Sequence, residues 1–400
     1  MDDIGWNDVG YHNSALLTPN IVKLAEEGTK LENYYVAPLC TPTRAMLLTG
    51  KHVIHLGMQD GIIRDLDRRC LPTTETTIAQ ELKLKQYTTH AVGKWHLGFY
   101  KEECLPNNRG FDSFFGIYSA AADHYTYQVH ETWWDLHRNA ENVAHEYRGQ
   151  YSTELYAKEA RTIIKNHDVN KPMFLYLAFQ AAHKPIQAPD KYIDMYPDID
   201  NPARRVYAAM VTCMDDAIGS VVDQLKESHL WDNTVLIVST DNGGVHISGN
   251  NWPLKGEKAT LWEGGVRGVS FVTSSLLADH VKGTSNNHLM HVTDWFPTIL
   301  HIAGVDNDVI KSKNLYGVNQ WDTISKNFMS KRNDVLINMQ PDMLAGHYQE
   351  PLLKEKQTFD VRVRAAIRVG NWKLLTGSQG LSPDRIAILW LPGAMFVNAL

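Results

Sequence analysis

Apolar positions along the chain follow two rhythms. Val206, Met210, Cys213, Met214, Ala217, Ile218, Val221 and Leu225 recur at the spacing of one helical face. That stripe predicts the clearest helix and puts Cys213 on its buried side as a free cysteine. Other apolar residues come in short runs bounded by polar turns, at 87–92, 173–179, 235–240 and 268–273. Their β-branched and aromatic content predicts strands. Thr18 as N-cap, Pro19 in the first turn and Gly28 at the close predict a helix over 18–28. A further helix is predicted over 293–303. Strands alternating with helices predict an α/β fold with a mainly parallel central sheet flanked by helices.

Beyond about residue 305 the texture changes. Residues 306–355 are polar and broken. Residues 366–375 predict two short strands around Gly370-Asn371, a small antiparallel unit. The last stretch, 386–400, is apolar without an element signature. The chain therefore divides into a main α/β domain, 1–305, and a partial C-terminal subdomain, 306–400.

Composition narrows the class. Of 400 residues, 44% are apolar and 21% charged, which excludes a disordered tail or a fibre. Thirty-nine basic against 45 acidic residues, a formal charge of −6, leave no nucleic-acid footprint. The longest nearly apolar run, 172–182, falls short of the ~20 residues a membrane span needs. No Asn-x-Ser/Thr sequon occurs. Met1-Asp2-Asp3 carries no apolar leader, so the chain as written is expected in the cytosol.

Chemistry-bearing residues cluster after the predicted strands, where parallel sheets bind ligands. Lys94 and His96 follow one strand, His183 another, and Asp241-Asn242 a third, while Asp2 and Asp3 lie at the start. Singly, each reads as a turn, a loop or a solvated end. Together, their carboxylate and amide oxygens suit a hard cation, Ca²⁺ or Mg²⁺ rather than Zn²⁺. In Leu39-Cys40-Thr41-Pro42-Thr43-Arg44, a Cys at a helix start with an Arg one turn on predicts a lowered thiol pKa. The other reading is a structural cysteine in a turn.

The segment from Cys40-Thr41-Pro42-Thr43-Arg44 to Thr49-Gly50 resembles the signature of the sulfatase family. Asp2-Asp3-Ile4-Gly5-Trp6, Gly93-Lys94-Trp95-His96-Leu97-Gly98, Ser239-Thr240-Asp241-Asn242-Gly243-Gly244 and Trp262-Glu263-Gly264-Gly265-Val266-Arg267 resemble its other motifs, in order. The run from Gly249 through Asn250-Asn251-Trp252-Pro253 to Lys258 is similar to the arylsulfatase B branch, with its arylsulfatase I and J relatives. The resemblance extends from Asp2 to about Gly377.

The resemblance implies an alkaline-phosphatase-like sandwich with a small C-terminal antiparallel sheet. It implies that a formylglycine-generating enzyme of the endoplasmic reticulum converts Cys40 to Cα-formylglycine. Asp2, Asp3, Asp241, Asn242 and residue 40 would hold one Ca²⁺. Arg44, Lys94, His96, His183 and Lys258 would surround the sulfate. The hydrated aldehyde would attack sulfur, His183 would protonate the leaving oxygen, and a base such as His96 would help expel sulfate. The implied substrate is a sulfated glycan, the 4-sulfate of N-acetylgalactosamine in chondroitin or dermatan, or an aryl sulfate.

The resemblance also implies a Cys70–Cys104 disulfide, against two free thiols, and a lysosomal or secretory setting. It implies a strand directly before Asp2 and a longer C-terminal domain. The chain as written is therefore expected to lack its first strand, to leave Cys40 a thiol and to be inactive when expressed alone. Two other readings stand beside the hydrolase: a sulfatase-like protein binding sulfated glycans without turnover, and a phosphate ester hydrolase. Cys40 with Pro42 and Arg44 argues against the latter, whose nucleophile is usually Thr or Ser.

Overall fold

The computed structural model describes residues 1–340, 363–377 and 379. Five helices and twelve strands matter for the site. The helices are α1 (Pro19–Glu26), α2 (Cys40–Thr49), α3 (Ser152–Lys165), α4 (Pro202–Glu227) and α5 (Trp295–Ile302). The strands of the main body are β1 (Thr29–Leu31), β2 (Thr88–Lys94), β3 (Ser113–Ile117), β4 (His137–Arg138), β5 (Glu141–Asn142), β6 (Met173–Ala178), β7 (Leu236–Ser239), β8 (Ser270–Thr273) and β9 (Thr284–Asn286). A C-terminal group follows: β10 (Asp334–Gln340), β11 (Arg364–Val369) and β12 (Trp372–Thr376).

The apolar stripe lies in α4, as its period requires, and Cys213 is a buried free thiol. The helix starts earlier than the stripe, because Asn201 caps it, accepting from Arg204 N at 3.1 Å, and Pro202 occupies the first turn. At α1, Thr18 stands at the N-cap as predicted, but its side chain makes no cap bond: Thr18 Oγ1 accepts from Gly10 N, at 2.7 Å. The carboxylate of Asp215 on α4 accepts from Asn20 N and Ile21 N, at 3.0 and 2.7 Å. A helix end thus finds its acceptor 195 residues away.

The fold is α/β with mixed sheets. The predicted parallel core is the trio β3–β2–β6, extended antiparallel by β4 and β5. A second sheet has the order β7–β8–β1–β9. There β8 runs antiparallel to both neighbours, while β1 and β9 are parallel. β6 and β7 face each other across a cavity of about 860 Å³ lined by apolar side chains, including Leu175, Leu177, Val221 and Val238.

At one end of that cavity the main chain of Met1 and Asp2 joins the two sheets. Met1 N donates to Ser239 O (2.9 Å) and Met1 O accepts from Asp241 N (3.2 Å), a parallel ladder step. Asp2 N donates to Ala181 O (3.0 Å) and Asp2 O accepts from Ala182 N (2.7 Å). Asp2 and Asp3 are consequently buried, not a solvated end.

The stretch expected to be broken contains β10, which pairs antiparallel with β11, and β11 pairs with β12 around Gly370-Asn371. This sheet packs on Tyr35, Leu261 and Val266 through Val335, Ile337 and Ala366. Residues 386–400 lie outside the described residues. Among the described residues no helix is long and apolar enough to cross a membrane.

Cys70 and Cys104 form a disulfide across 34 residues. It ties the loop around residues 59–70 to the turn after β2, where Leu71 N donates to Leu97 O and Trp95 Nε1 to Cys104 O. Closing a loop of this length contributes about 2–4 kcal/mol. Denaturant unfolding with and without reductant is expected to differ by that amount, and Cys70→Ser/Cys104→Ser protein should show no reductant effect.

Candidate active site

Strand ends and one helix start build the site. β2 delivers Lys94 and the turn carrying His96. β6 delivers His183, and β7 delivers Asp241 and Asn242. Gly93 makes this close approach possible: at its φ of +103° a Cβ would sit 2.0 Å from Ala178 O. Helix α2 starts at Cys40 and ends on Gly50, which adopts a φ of +66°. One turn of helix separates Cys40 from Arg44, so both face the strand ends.

Arg44 is the hub. Its Nη2 donates to Asp241 Oδ2 (2.8 Å) and Asp2 Oδ2 (3.2 Å), its Nε to Asp241 Oδ2 (3.2 Å), and its Nη1 to Lys94 O (2.9 Å). Lys94 Nζ lies 2.5 Å from Asp2 Oδ2. Lys258 Nζ lies 2.6 and 2.7 Å from the two oxygens of Asp3. His183 Nε2 is 3.8 Å from Asp3 Oδ2. Asn242 Nδ2 donates to Asp3 Oδ1 (2.7 Å), and Asp3 N to Asp241 Oδ1 (3.3 Å). All these side chains except Lys258, which is partly exposed, are buried.

Burial pushes both Asp2 and Asp3 upward, but their cationic neighbours win. Lys94, His183 and Arg44 hold Asp2 below the ordinary carboxylate value, and Lys258 and His183 do so for Asp3. Burial disfavours the Lys258 ammonium, yet Asp3 keeps it firmly protonated.

The Cys40 thiol departs from the sequence expectation. Burial, followed by the Asp2 carboxylate, pushes it up to about 12. Cys40 Sγ lies 3.7 Å from Asp2 Oδ1, and the Arg44 guanidinium is engaged by Asp2 and Asp241. A helix start and a nearby arginine do not activate the thiol when carboxylates stand between them. Unmodified Cys40 is a neutral, poor nucleophile.

Both histidines are held in defined orientations. His96 Nε2 faces Ile63 O at 3.0 Å, while its Nδ1 is buried without a hydrogen-bond partner. Burial, then Lys94 and Arg44, hold its pKa well below the usual histidine value, so the ring is neutral with a lone pair on Nδ1. His183 Nδ1 faces Lys184 O at 2.8 Å, which turns Nε2 toward Asp3. Burial and Lys94 also lower its pKa.

The carboxylate and amide oxygens of the cluster fit a hard divalent cation, while Cys40 and His183 add a sulfur and a nitrogen. Ligand atoms of Asp2, Asp3, Cys40 and His183 all lie within 4.8 Å of one another. Asn242 Oδ1 beside them is buried with no hydrogen-bond partner, as expected of an oxygen kept for a cation. All ten residues proposed from sequence are brought together in one connected cluster.

Sequence reasoning missed the supports. The hydroxyl of Tyr207 on α4 lies 2.8 Å from Asp3 O and 2.9 Å from Asp8 Oδ2, and its one proton is shared between these two acceptors. His124 Nε2 faces His183 O at 3.1 Å, and Ser152 on α3 holds the other ring nitrogen at 2.7 Å. Neither Tyr207 nor His124 sits in a motif. Asn250 and Asn251 serve as staples: Asn250 N donates to Asp8 and Asn251 bonds Gly244 through both amide atoms, leaving Trp252 exposed.

Comparison with known proteins agrees with this geometry. The family model described as Sulfatase matches residues 1–305. Arylsulfatase J of Mus musculus is 44% identical over 99% of this chain, and N-acetylgalactosamine-6-sulfatase of Homo sapiens 32% over 76%. The chain covers 65% and 61% of their respective lengths. The crystal structure of Ps i-CgsB in complex with k-i-k-neocarrahexaose superposes with a TM-score of 0.81 at 30% identity, over 95% of this chain and 83% of that one. With its motif residues gathered into one buried cluster on this fold, the chain belongs to the sulfatase family.

Proposed function

We propose that the chain is a sulfuric ester hydrolase whose nucleophile is formylglycine made from Cys40, acting on a sulfated sugar or an aryl sulfate. The observation that carries this reading is the position of Cys40 Sγ, 3.7 Å from Asp2 Oδ1 and gathered with Asp3 and His183, where buried Lys94 and partly exposed Lys258 hold the two carboxylates. Formylglycine would supply a hydrated aldehyde as nucleophile. Ca²⁺ held by Asp2, Asp3, Asp241 and Asn242 would supply Lewis acidity beside residue 40.

The chain's own residues have separable tasks. Lys94 and Lys258, now neutralising Asp2 and Asp3, offer ammonium groups to sulfate oxygens. His183 donates Nδ1–H to Lys184 O and presents Nε2 to the pocket; in its imidazolium form, Nε2–H would pass a proton to the leaving oxygen and leave the ring neutral. With Nε2–H on Ile63 O, His96 has Nδ1 free to accept one. Arg44 orients Asp2 and Asp241. Maturation calls for a formylglycine-generating enzyme and a secretory or lysosomal route, and the Cys70–Cys104 bond supports an oxidising compartment. The reading as a glycan-binding protein without turnover applies wherever Cys40 stays a thiol, because its raised pKa leaves it unreactive.

For substrate, we favour a 4-sulfated N-acetylgalactosamine, on the resemblance of the Asn250–Pro253 loop, which precedes Lys258. Comparing hydrolysis of 4-sulfated and 6-sulfated N-acetylgalactosamine tests this, and a preference for the 6-sulfate overturns it.

Protein whose 31–44 tryptic peptide carries the aldehyde by mass spectrometry is expected to release phenol from a small aryl sulfate. Cys40→Ala should lower that rate by roughly 10³-fold or more. Activity surviving the substitution would end the formylglycine reading.

Asp241→Ala should weaken calcium binding by at least the roughly 10–100-fold typical of losing a supporting partner, and activity with it. Elemental analysis of purified protein is expected to find calcium. Stoichiometric zinc without calcium would contradict the oxygen-ligand assignment.

A further inference from the structure

Asp8 follows the first motif, is fully buried, and has no task in the proposed reaction. Its carboxylate gathers donors from three separate stretches of chain. Oδ2 accepts from Gly5 N (3.0 Å) and Asn250 N (2.8 Å) and lies 2.9 Å from the Tyr207 hydroxyl. Oδ1 accepts from Arg204 Nη1 at 2.6 Å. Burial raises the pKa of this carboxyl above the ordinary carboxylate value, and Arg204, Asn250 N and the Tyr207 hydroxyl oppose it.

These contacts join the two halves of the cation cluster. The first half is Asp2 and Asp3 with the turn that follows them. Asp8 closes that turn through Gly5 N and through its own N–H, which donates to Gly5 O at 3.0 Å. The second half is the segment from Asp241-Asn242 to Lys258. Within it Gly244 O accepts from Lys258 N (3.1 Å), and Asn251 bonds Gly244 N and O at 2.9 and 3.0 Å. Next to Asn251, Asn250 gives its N–H to Asp8 and its carbonyl to Asn7 N (2.9 Å). Arg204 reinforces the junction, because the Nη1 that holds Asp8 also donates to Ser248 O at 2.8 Å.

The junction has no slack. A Cβ at Gly5 would lie 2.3 Å from Asn250 O, and one at Gly244 would lie 2.9 Å from Gly5 Cα. Across it, the Asp3 carboxylate meets Asn242 Nδ2 at 2.7 Å and Lys258 Nζ at 2.7 Å. Asp8 acts on these groups only through the backbone turn, the 248–251 loop and Tyr207.

We propose that Asp8 is a positioning residue of the cation site. With Arg204 it clamps the turn after Asp3 to the 248–251 loop, and so sets how the oxygens of Asp2 and Asp3 meet that of Asn242. This rests on the cation assignment of the proposed function and deepens it. Partners that orient the ligands of a metal govern its affinity without touching it.

Calorimetric titration of calcium into the full chain, with Cys40 unmodified, reads the site without turnover. Asp8→Asn keeps the shape of the side chain but turns an amide N–H2 against one of its donors. It should weaken calcium binding by roughly 10–100-fold, the loss typical of a partner that orients ligands. Loss of the Asp8 charge alone would also weaken binding, so Arg204→Met decides between the two causes. If Asp8 and Arg204 acted only through their charges, removing a positive charge would tighten calcium binding. The clamp predicts weaker binding instead, partly recovered in Arg204→Lys. Arg204 is partly exposed, so its variants remain readable should Asp8→Asn fail to fold. Asp215→Asn measures plain destabilisation. It loosens the start of α1, roughly two turns along α4 from Tyr207, and should lower Tm with calcium affinity unchanged. Unchanged affinity in Asp8→Asn, unchanged or tighter binding in Arg204→Met, or an equal loss in Asp215→Asn overturns the clamp. Calcium binding that depends on Asp8 and Arg204 in aldehyde-bearing protein without any sulfate ester turnover overturns the hydrolase reading and leaves the clamp standing.

Discussion

Three carboxylates and three cations share one buried cluster, and the rest of the site depends on their balance. Asp2, Asp3 and Asp241 stand within reach of one another, and alone they would repel and draw protons. Arg44, Lys94 and Lys258 compensate them at 2.5 to 3.2 Å. A buried charge stripped of its partner costs roughly 3–5 kcal/mol, so the cluster stands or falls as a unit. Under the proposed function, the same lysines that neutralise carboxylates would receive an anionic ester once a divalent cation took over the carboxylates. The cluster thus holds its oxygens ionised, which cation binding requires.

The backbone accepts strain to assemble these groups. Asp3 and His96 adopt φ values of +56° and +54°, on the left-handed side of the map. For a non-glycine residue this costs on the order of 1 kcal/mol or more, and it persists only where surrounding contacts impose it. Those contacts are visible. Tyr207 and Asp241 hold Asp3 through its main chain, and Thr41 Oγ1 donates to His96 O at 3.0 Å. The strain turns both side chains into the pocket from a strand-end turn and from the chain start.

The sequence by itself determined the long helix, the core strands and the hairpin at 366–375, because each is written in local periodicity and turn chemistry. Its motifs also singled out the ten candidate site residues, because their types and spacing can be read before any folding detail. Other features were decided only by tertiary structure. Asp215 caps α1 from another helix, and β8 runs antiparallel to β7 and β1; both depend on which elements meet in space. The strand β10 escaped notice because its partner β11 lies beyond it in sequence and supplies the pairing. Cys40 is the sharpest case. Its helix start and its arginine are local and favour a thiolate, yet burial and Asp2, 38 residues earlier, push the pKa the other way. Electrostatic free energy is summed over distance and burial, and sequence separation does not enter that sum.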